Sequence, residues 1–409
     1  MSEHVKGKRI KILDEFVKES EPEANNKVKS PDFEEGPKQE QRNSQKMGRL
    51  VALDAVRGLA VIGMFIQHFA LNDMNASIVS GNTTLLFILC GGISYSIMAR
   101  RTKEKGLETS RFRSRMLARA VFIDIIGYLL IMLNTHVGVI LPAYAALFVL
   151  ALVLVHRSTR VLIITASALI VVSPPLMILG ESLLSNSFIL RDIGGGPMSG
   201  IALAPAFVVG MVIGRIDLTK QRPAFLLMCN GLIILIICKL LAIFVLPDLS
   251  QSFEGWLISV QGSVSNQPDP NLIWPSNAQP PMWHTLLWTN AHSASTFQTL
   301  TGLGAAFLVL GLVCLVPRKF SVVLMPFEKV GRVALTMYAA HFVVLWGLQL
   351  IGIQQYSLEF PFGDVLVATV TLVIGGIIVK LPAGPLEAMM RRFDRFFSAS
   401  QPAKTKILR

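Results

Sequence analysis

From residue 51 to residue 381 the chain repeats one pattern, an apolar run followed by a polar link. The runs lie at 51–71, 78–98, 116–133, 137–155, 161–179, 199–215, 223–245, 296–316, 331–353 and 363–381. A helix of about 20 residues spans the hydrocarbon of a bilayer. Backbone amides cannot stay unpaired in lipid, so each run is expected to close its own hydrogen bonds as a helix. The pattern predicts an all-α, polytopic integral membrane protein of about ten transmembrane helices, with no soluble domain between them.

Residues 1–48 break the pattern: Lys and Arg nearly balance Asp and Glu, and apolar positions are sparse. Such a segment cannot bury enough apolar surface to order itself. It reads as a disordered tail, with Lys8–Ser20 either plain tail or a short amphipathic helix on the membrane surface. No apolar core precedes a small-residue cleavage site, so a signal peptide is not expected. The expected organisation is a tail at 1–48, a transmembrane domain at 49–384 and an amphipathic segment and tail at 385–409.

Charge sets the expected orientation. The link Arg100–Arg115 has seven basic and two acidic residues, and His156–Arg160, Arg215–Arg222 and Pro317–Lys319 are basic too. The stretch Pro247–Thr296 has no Lys or Arg but carries Trp256, Trp274, Trp283 and Trp288. Basic residues concentrate in cytoplasmic loops and Trp at membrane interfaces. Both termini are therefore expected in the cytoplasm, the 247–296 loop outside, and the chain in the plasma membrane as a multi-pass protein.

Composition sharpens this. Hydrophobic residues make up 52% and charged residues 16%, against about 25% charged in soluble proteins. Mean hydropathy is +0.55. These values exclude a soluble enzyme, a disordered protein and a fibre. The net charge of +12 follows from the basic links, and no basic groove with interleaved aromatics suggests nucleic acid. The four cysteines sit in apolar runs without CxxC spacing. They support neither a disulfide framework nor a zinc site. Paired broken helices, which point to a carrier, do not recur in two halves of the chain.

Ionisable groups inside a span are costly and therefore functional candidates. The first run has the richest set. Asp54 and Arg57 stand three apart and can pair on one face. His68 follows Arg57 by eleven residues, which is three turns plus about 20°, so it falls on the same face, about 16 Å further along. The guanidinium can bind phosphate bidentately, and the imidazole can act as a general base. Each also has a structural reading: a pair that seats the helix, and a histidine satisfied by a carbonyl. The separation suits a long substrate such as the pantetheine arm of coenzyme A.

His136, His284, His292 and His341 fall toward the outer side. No HxH or HxxxH spacing occurs, so no metal is expected. Asp124 is a candidate partner for Arg57 or orienter of a histidine. Lys239 can snorkel. Arg119, Arg215, Lys329 and Arg332 stand at expected cytoplasmic helix ends, where positive-inside bias explains each alone and an anionic nucleotide would explain them together.

The stretch Arg49–Ala70, RLVALDAVRGLAVIGMFIQHFA, resembles the first helix of bacterial transmembrane acyltransferases related to heparan-alpha-glucosaminide N-acetyltransferase. Leu85–Arg101, Val139–Leu152, Ala291–Leu312, Glu328–His341 and Gly384–Arg392 resemble later segments of that group in the same order, nearest its actinobacterial branch. The resemblance covers Arg49 to about Arg392. The first helix is also similar to that of the membrane acyltransferases that O-acylate surface glycans, which carry Arg, ten residues, then His. The heparan enzyme's histidine lies past its first helix, where this chain has none between Asn72 and Asn134, so the second pattern points to His68.

The resemblance implies acyl transfer, with acetyl-CoA as donor, to a hydroxyl of an envelope glycolipid or glycan on the outer side. In a mycolate-built envelope the acceptor would be of the trehalose mycolate class. The expected catalytic set is His68 as base with Arg57, Asp54, His341 and His292. The expected coenzyme contacts are Arg57, Arg119, Arg215 and Arg332, and Gln67, Thr336 and Tyr338 are candidate oxyanion donors. Expected partners are acyl-CoA, the acceptor, membrane lipid, and export machinery or a second copy. The rival readings are a carrier or flippase for a lipid or small polar molecule, and a non-catalytic envelope-assembly partner.

Overall fold

The computed structural model describes residues 37–104, 106, 109–184, 187–262, 281–353, 361–381 and 384–399, the first fourteen by backbone alone. Contacts divide the chain into a unit at 1–44 and a unit at 45–409. Of the first, the described residues are the opening turns of one helix. Everything below concerns the second.

Every regular element among the described residues is helical. The helices are α1 (Pro37–Phe69), α2 (Asp73–Val79), α3 (Asn82–Glu104), α4 (Thr109–Ile131), α5 (Leu141–Leu154), α6 (Thr159–Leu183), α7 (Phe188–Gly194), α8 (Gly200–Ile213), α9 (Gln221–Phe244), α10 (Leu246–Gln261), α11 (Thr296–Leu315), α12 (Met325–Arg332), α13 (Ala334–Leu350), α14 (Gly363–Ile378) and α15 (Pro385–Ala399). Each of the ten apolar runs contains one. Five segments are long and apolar enough to cross a membrane, and the bent pair α12–α13 makes up to six. The apolar helices α5, α8 and α14 are shorter. Several long apolar helices mark a membrane protein.

Burial separates central from peripheral helices. The faces of α3 and α8 are buried almost throughout, as are Ala55, Val56, Ala60 and Val61 of α1. In α9, Leu232, Ile233, Ile236, Ile237 and Leu240 are about half exposed. A helix apolar on its exposed face needs lipid there. Central packing is close because small residues let backbones touch. A Cβ on Gly92 of α3 would stand 2.0 Å from the Phe207 carbonyl oxygen of α8.

Three short helices occupy segments that hydropathy alone leaves as links. An Asn72–Asn75 capping box starts α2. Proline in its first turn starts α10, which ends at Gly262 in the left-handed conformation. The third, α7, lies between α6 and α8. Thus part of the expected 247–296 loop is helical, while 263–280, with Trp274, lies outside the described residues, as do Lys8–Ser20 and His4.

The run at 331–353 bends by 67° between α12 and α13. The break has a partner far along the chain. Glu387 of α15 accepts from the backbone amides of Leu335 and Thr336 at 2.8 and 3.0 Å, and from the Thr336 hydroxyl. These are the amides that a helix start leaves unpaired, and a carboxylate there also suits the helix dipole. So α15 caps α13 in trans.

Candidate functional site

Four of the seven histidines converge. His68 comes from the last turn of α1, His136 from the α4–α5 link, His292 from the segment before α11 and His341 from α13. They line one cavity of about 390 Å³ with Gln67, Thr84, Tyr338 and apolar neighbours such as Met64, Leu71 and Phe342. Among the described residues, no Asp, Glu, Lys or Arg lines it.

The rings are ordered by their neighbours. His68 and His341 lie nearly parallel, 9° apart, with centroids 5.5 Å apart. His341 is only 1% exposed and packs against Phe65, Tyr338 and Phe342. The Tyr338 hydroxyl accepts from the Ile140 amide at 3.0 Å. Nε2 of Gln67 lies 2.9 Å from Nε2 of His292. Burial holds His292 below the ordinary histidine range. Among the described residues no three His, Cys, Asp or Glu side chains stand where they could hold a metal ion.

Local structure fixes the His292 segment. His292 and Ala294 have φ of 62° and 50°, a region that residues with a Cβ seldom adopt. Ser295 caps α11 by accepting from the Gln298 amide, and its hydroxyl donates to the Trp288 carbonyl. Gly81, at φ +73°, leaves room for the chain: a Cβ there would lie 3.3 Å from the His292 nitrogen.

Arg57 does not share this cavity. Its Nη1 donates to Asp54 at 2.8 Å and reaches the Gly331 carbonyl at 3.5 Å, and its Nη2 donates to Ser94 at 2.6 Å. Gly331 fits so closely that a Cβ would stand 1.7 Å from the Asp54 carbonyl oxygen. The pair thus ties α1 to α3 and α12. Arg119 donates to Asp394 of α15 at 2.7 Å, with Arg115 3.3 Å from the same oxygen. Arg215 donates to Thr159 and to the Val155 carbonyl, and Arg332 is exposed. None of these arginines lines the histidine cavity.

The other candidates are placed as follows. Thr336 bonds Glu387, away from the cavity, whereas Gln67 and Tyr338 line it. Asp124 interacts with Asp192 of α7, whose carboxylate accepts from Tyr128. Lys239 is exposed on the apolar surface of α9. His284 packs edge-on against Trp288. Sequence reasoning did not reach the roles of Glu387, Asp394 or Ser94. Their only sequence signal was a polar residue in an apolar or amphipathic helix.

No protein-family model matches the chain, and no curated protein is significantly similar to it.

Proposed function

We propose that this protein is a membrane acyltransferase that moves an acetyl group from acetyl-CoA to a hydroxyl of an envelope glycolipid or glycan. The observation that carries the reading is the cavity of four histidines with no charged side chain among its described lining residues, and with His68 beside a Gln67–His292 pair. A neutral imidazole is the side chain suited to take a proton near neutral pH, and a site of low polarity strengthens each hydrogen bond to the developing charge. The resemblance of the first helix to transmembrane acyltransferases supports the same chemistry. In a mycolate-built envelope a trehalose mycolate is the acceptor of choice.

His68 removes the proton from the acceptor hydroxyl as its oxygen attacks the thioester carbonyl carbon. The carbonyl electron pair becomes an oxyanion. On collapse the C–S bond breaks, the ester forms, and the departing thiolate takes the proton from His68 to give free coenzyme A. In this account the chain crosses the plasma membrane ten times with both termini inside. The coenzyme phosphates sit at the basic end, near Arg215 and Arg332, and the acceptor enters from the outer side.

Two experiments test the reading. Purified full-length protein with labelled acetyl-CoA should transfer or hydrolyse acetyl, whereas a carrier or an assembly partner would leave the thioester intact. For topology, Ser252→Cys should react with an impermeant maleimide in intact cells and Ser110→Cys only after permeabilisation. The reverse order would overturn the orientation.

A further inference from the structure

We propose that Gln67 is the positioning residue that fixes His292 as the tautomer with its proton on Nδ1, so that His292 offers a neutral N–H donor to the thioester oxygen. The role of the donor rests on the acyl-transfer reading; the tautomer does not. The Thr83 hydroxyl has one proton and two oxygens in reach, the Val79 carbonyl at 3.0 Å and Oε1 of Gln67 at 3.3 Å. With Oε1 on the Thr83 side, the amide NH2 faces Nε2 of His292 at 2.9 Å. An amide nitrogen only donates, so Nε2 of His292 accepts and the ring proton stays on Nδ1.

Two further observations agree. The His292 backbone is held in the left-handed region at φ 62°, a cost that persists where surroundings over-determine a conformation and that concentrates at functional sites. Among the described residues, the titratable groups facing His292 across the cavity are His68, His136, His341 and Tyr338, with no carboxylate. None of these groups draws a second proton onto the ring. A neutral donor keeps its N–H at any pH above its own titration. His68 remains the base, and the two imidazoles of the one cavity take opposite parts, one accepting a proton and one donating a hydrogen bond.

Gln67→Glu and Gln67→Met separate this role from simple packing. A carboxylate at 67 accepts only, so it pulls the proton to Nε2 and raises the His292 pKa. At low pH the imidazolium of Gln67→Glu still has Nδ1–H. As pH rises it deprotonates to the Nε2–H form, and Nδ1 is left bare. Turnover in this variant should therefore gain a falling limb at high pH, where the wild type has only the rising limb of its base. The loss there should be about 10²–10³-fold, the usual effect of one oxyanion donor, and should appear in kcat more than in KM for acetyl-CoA. Gln67→Met, close in volume, should lose turnover at all pH.

Nitrogen-15 histidine NMR on the full chain, with His292 assigned by its loss in His292→Gln, reads the tautomer without activity. Nδ1–H in the wild type and Nε2–H in Gln67→Glu would support the proposal. An unchanged tautomer with no falling limb would overturn it. A shifted tautomer in a wild type that never transfers acetyl would keep the Gln67–His292 bond and refute the catalytic role together with the acyl-transfer reading.

Discussion

Two regions of the helix bundle, the Arg57–Asp394 side and the histidine cavity, handle polar side chains in opposite ways. On the Arg57–Asp394 side, charges are matched with partners from the chain itself: Arg57 with Asp54, Ser94 and Gly331, Arg119 with Asp394, and Glu387 with the start of α13. Around the histidine cavity, four imidazole rings and Tyr338 border an open volume of about 390 Å³. A charge in an apolar surrounding must be paired or it destabilises the fold. A neutral imidazole can be left facing a cavity at small cost. The first arrangement holds helices together, and the second leaves groups ready for a substrate.

This contrast predicts loss of folded protein on the Arg57–Asp394 side. The largest effect is expected for Gly331→Ala, whose methyl would meet the Asp54 carbonyl at 1.7 Å. Backbone cannot yield as a flexible side chain would. The cost should exceed about 3 kcal/mol, the upper part of the range for overpacking, and should appear as lost solubilised yield. A normal melting temperature would break the account of this contact.

Arg57→Ala comes next. It leaves Asp54, whose side chain is 24% exposed, without its partner, at about 2–3 kcal/mol for a charge-assisted bond. Thermal stability of the detergent-solubilised protein should fall together with activity. Stable protein with weakened acetyl-CoA binding would instead return Arg57 to the coenzyme site. Glu387→Ala removes the cap of α13 and should cost about 1 kcal/mol. Here Glu387→Gln should recover part of the melting temperature through its remaining carbonyl oxygen. The smallest effect is expected for Lys239→Ala on the exposed surface of α9, within about 0.5 kcal/mol. A large loss there would mean that this surface has a protein or substrate partner.

Much of the bundle was legible in the sequence because lipid leaves a backbone so few choices. Each apolar run contains a helix for that reason. The bend before Ala334 was not legible, since its cap comes from Glu387, 52 residues from Leu335. Nor were α2 and α10, whose starts depend on Asn72 capping and on Pro247 rather than on hydropathy. In the site, the sequence marks His68, His292 and His341 as candidates, and the fold brings them to one cavity with His136. The shared helical face of Arg57 and His68 suggested a single substrate touching both, yet Arg57 meets Ser94 and Gly331, 37 and 274 residues away. Gln67 and His292 meet across 225 residues. Local periodicity places a residue on a face but does not say what the fold puts opposite.

The central claim is that the histidine cavity performs acetyl transfer, with His68 as its base. It is tested most directly by the rate of labelled acetyl transfer from acetyl-CoA by wild-type and His68→Ala protein, compared at matched melting temperature. The account predicts transfer by the wild type and a loss of about 10²–10⁴ in turnover for His68→Ala, with coenzyme binding nearly unchanged. A stable His68→Ala protein that transfers acetyl at the wild-type rate, or a wild type that leaves acetyl-CoA untouched, would contradict it.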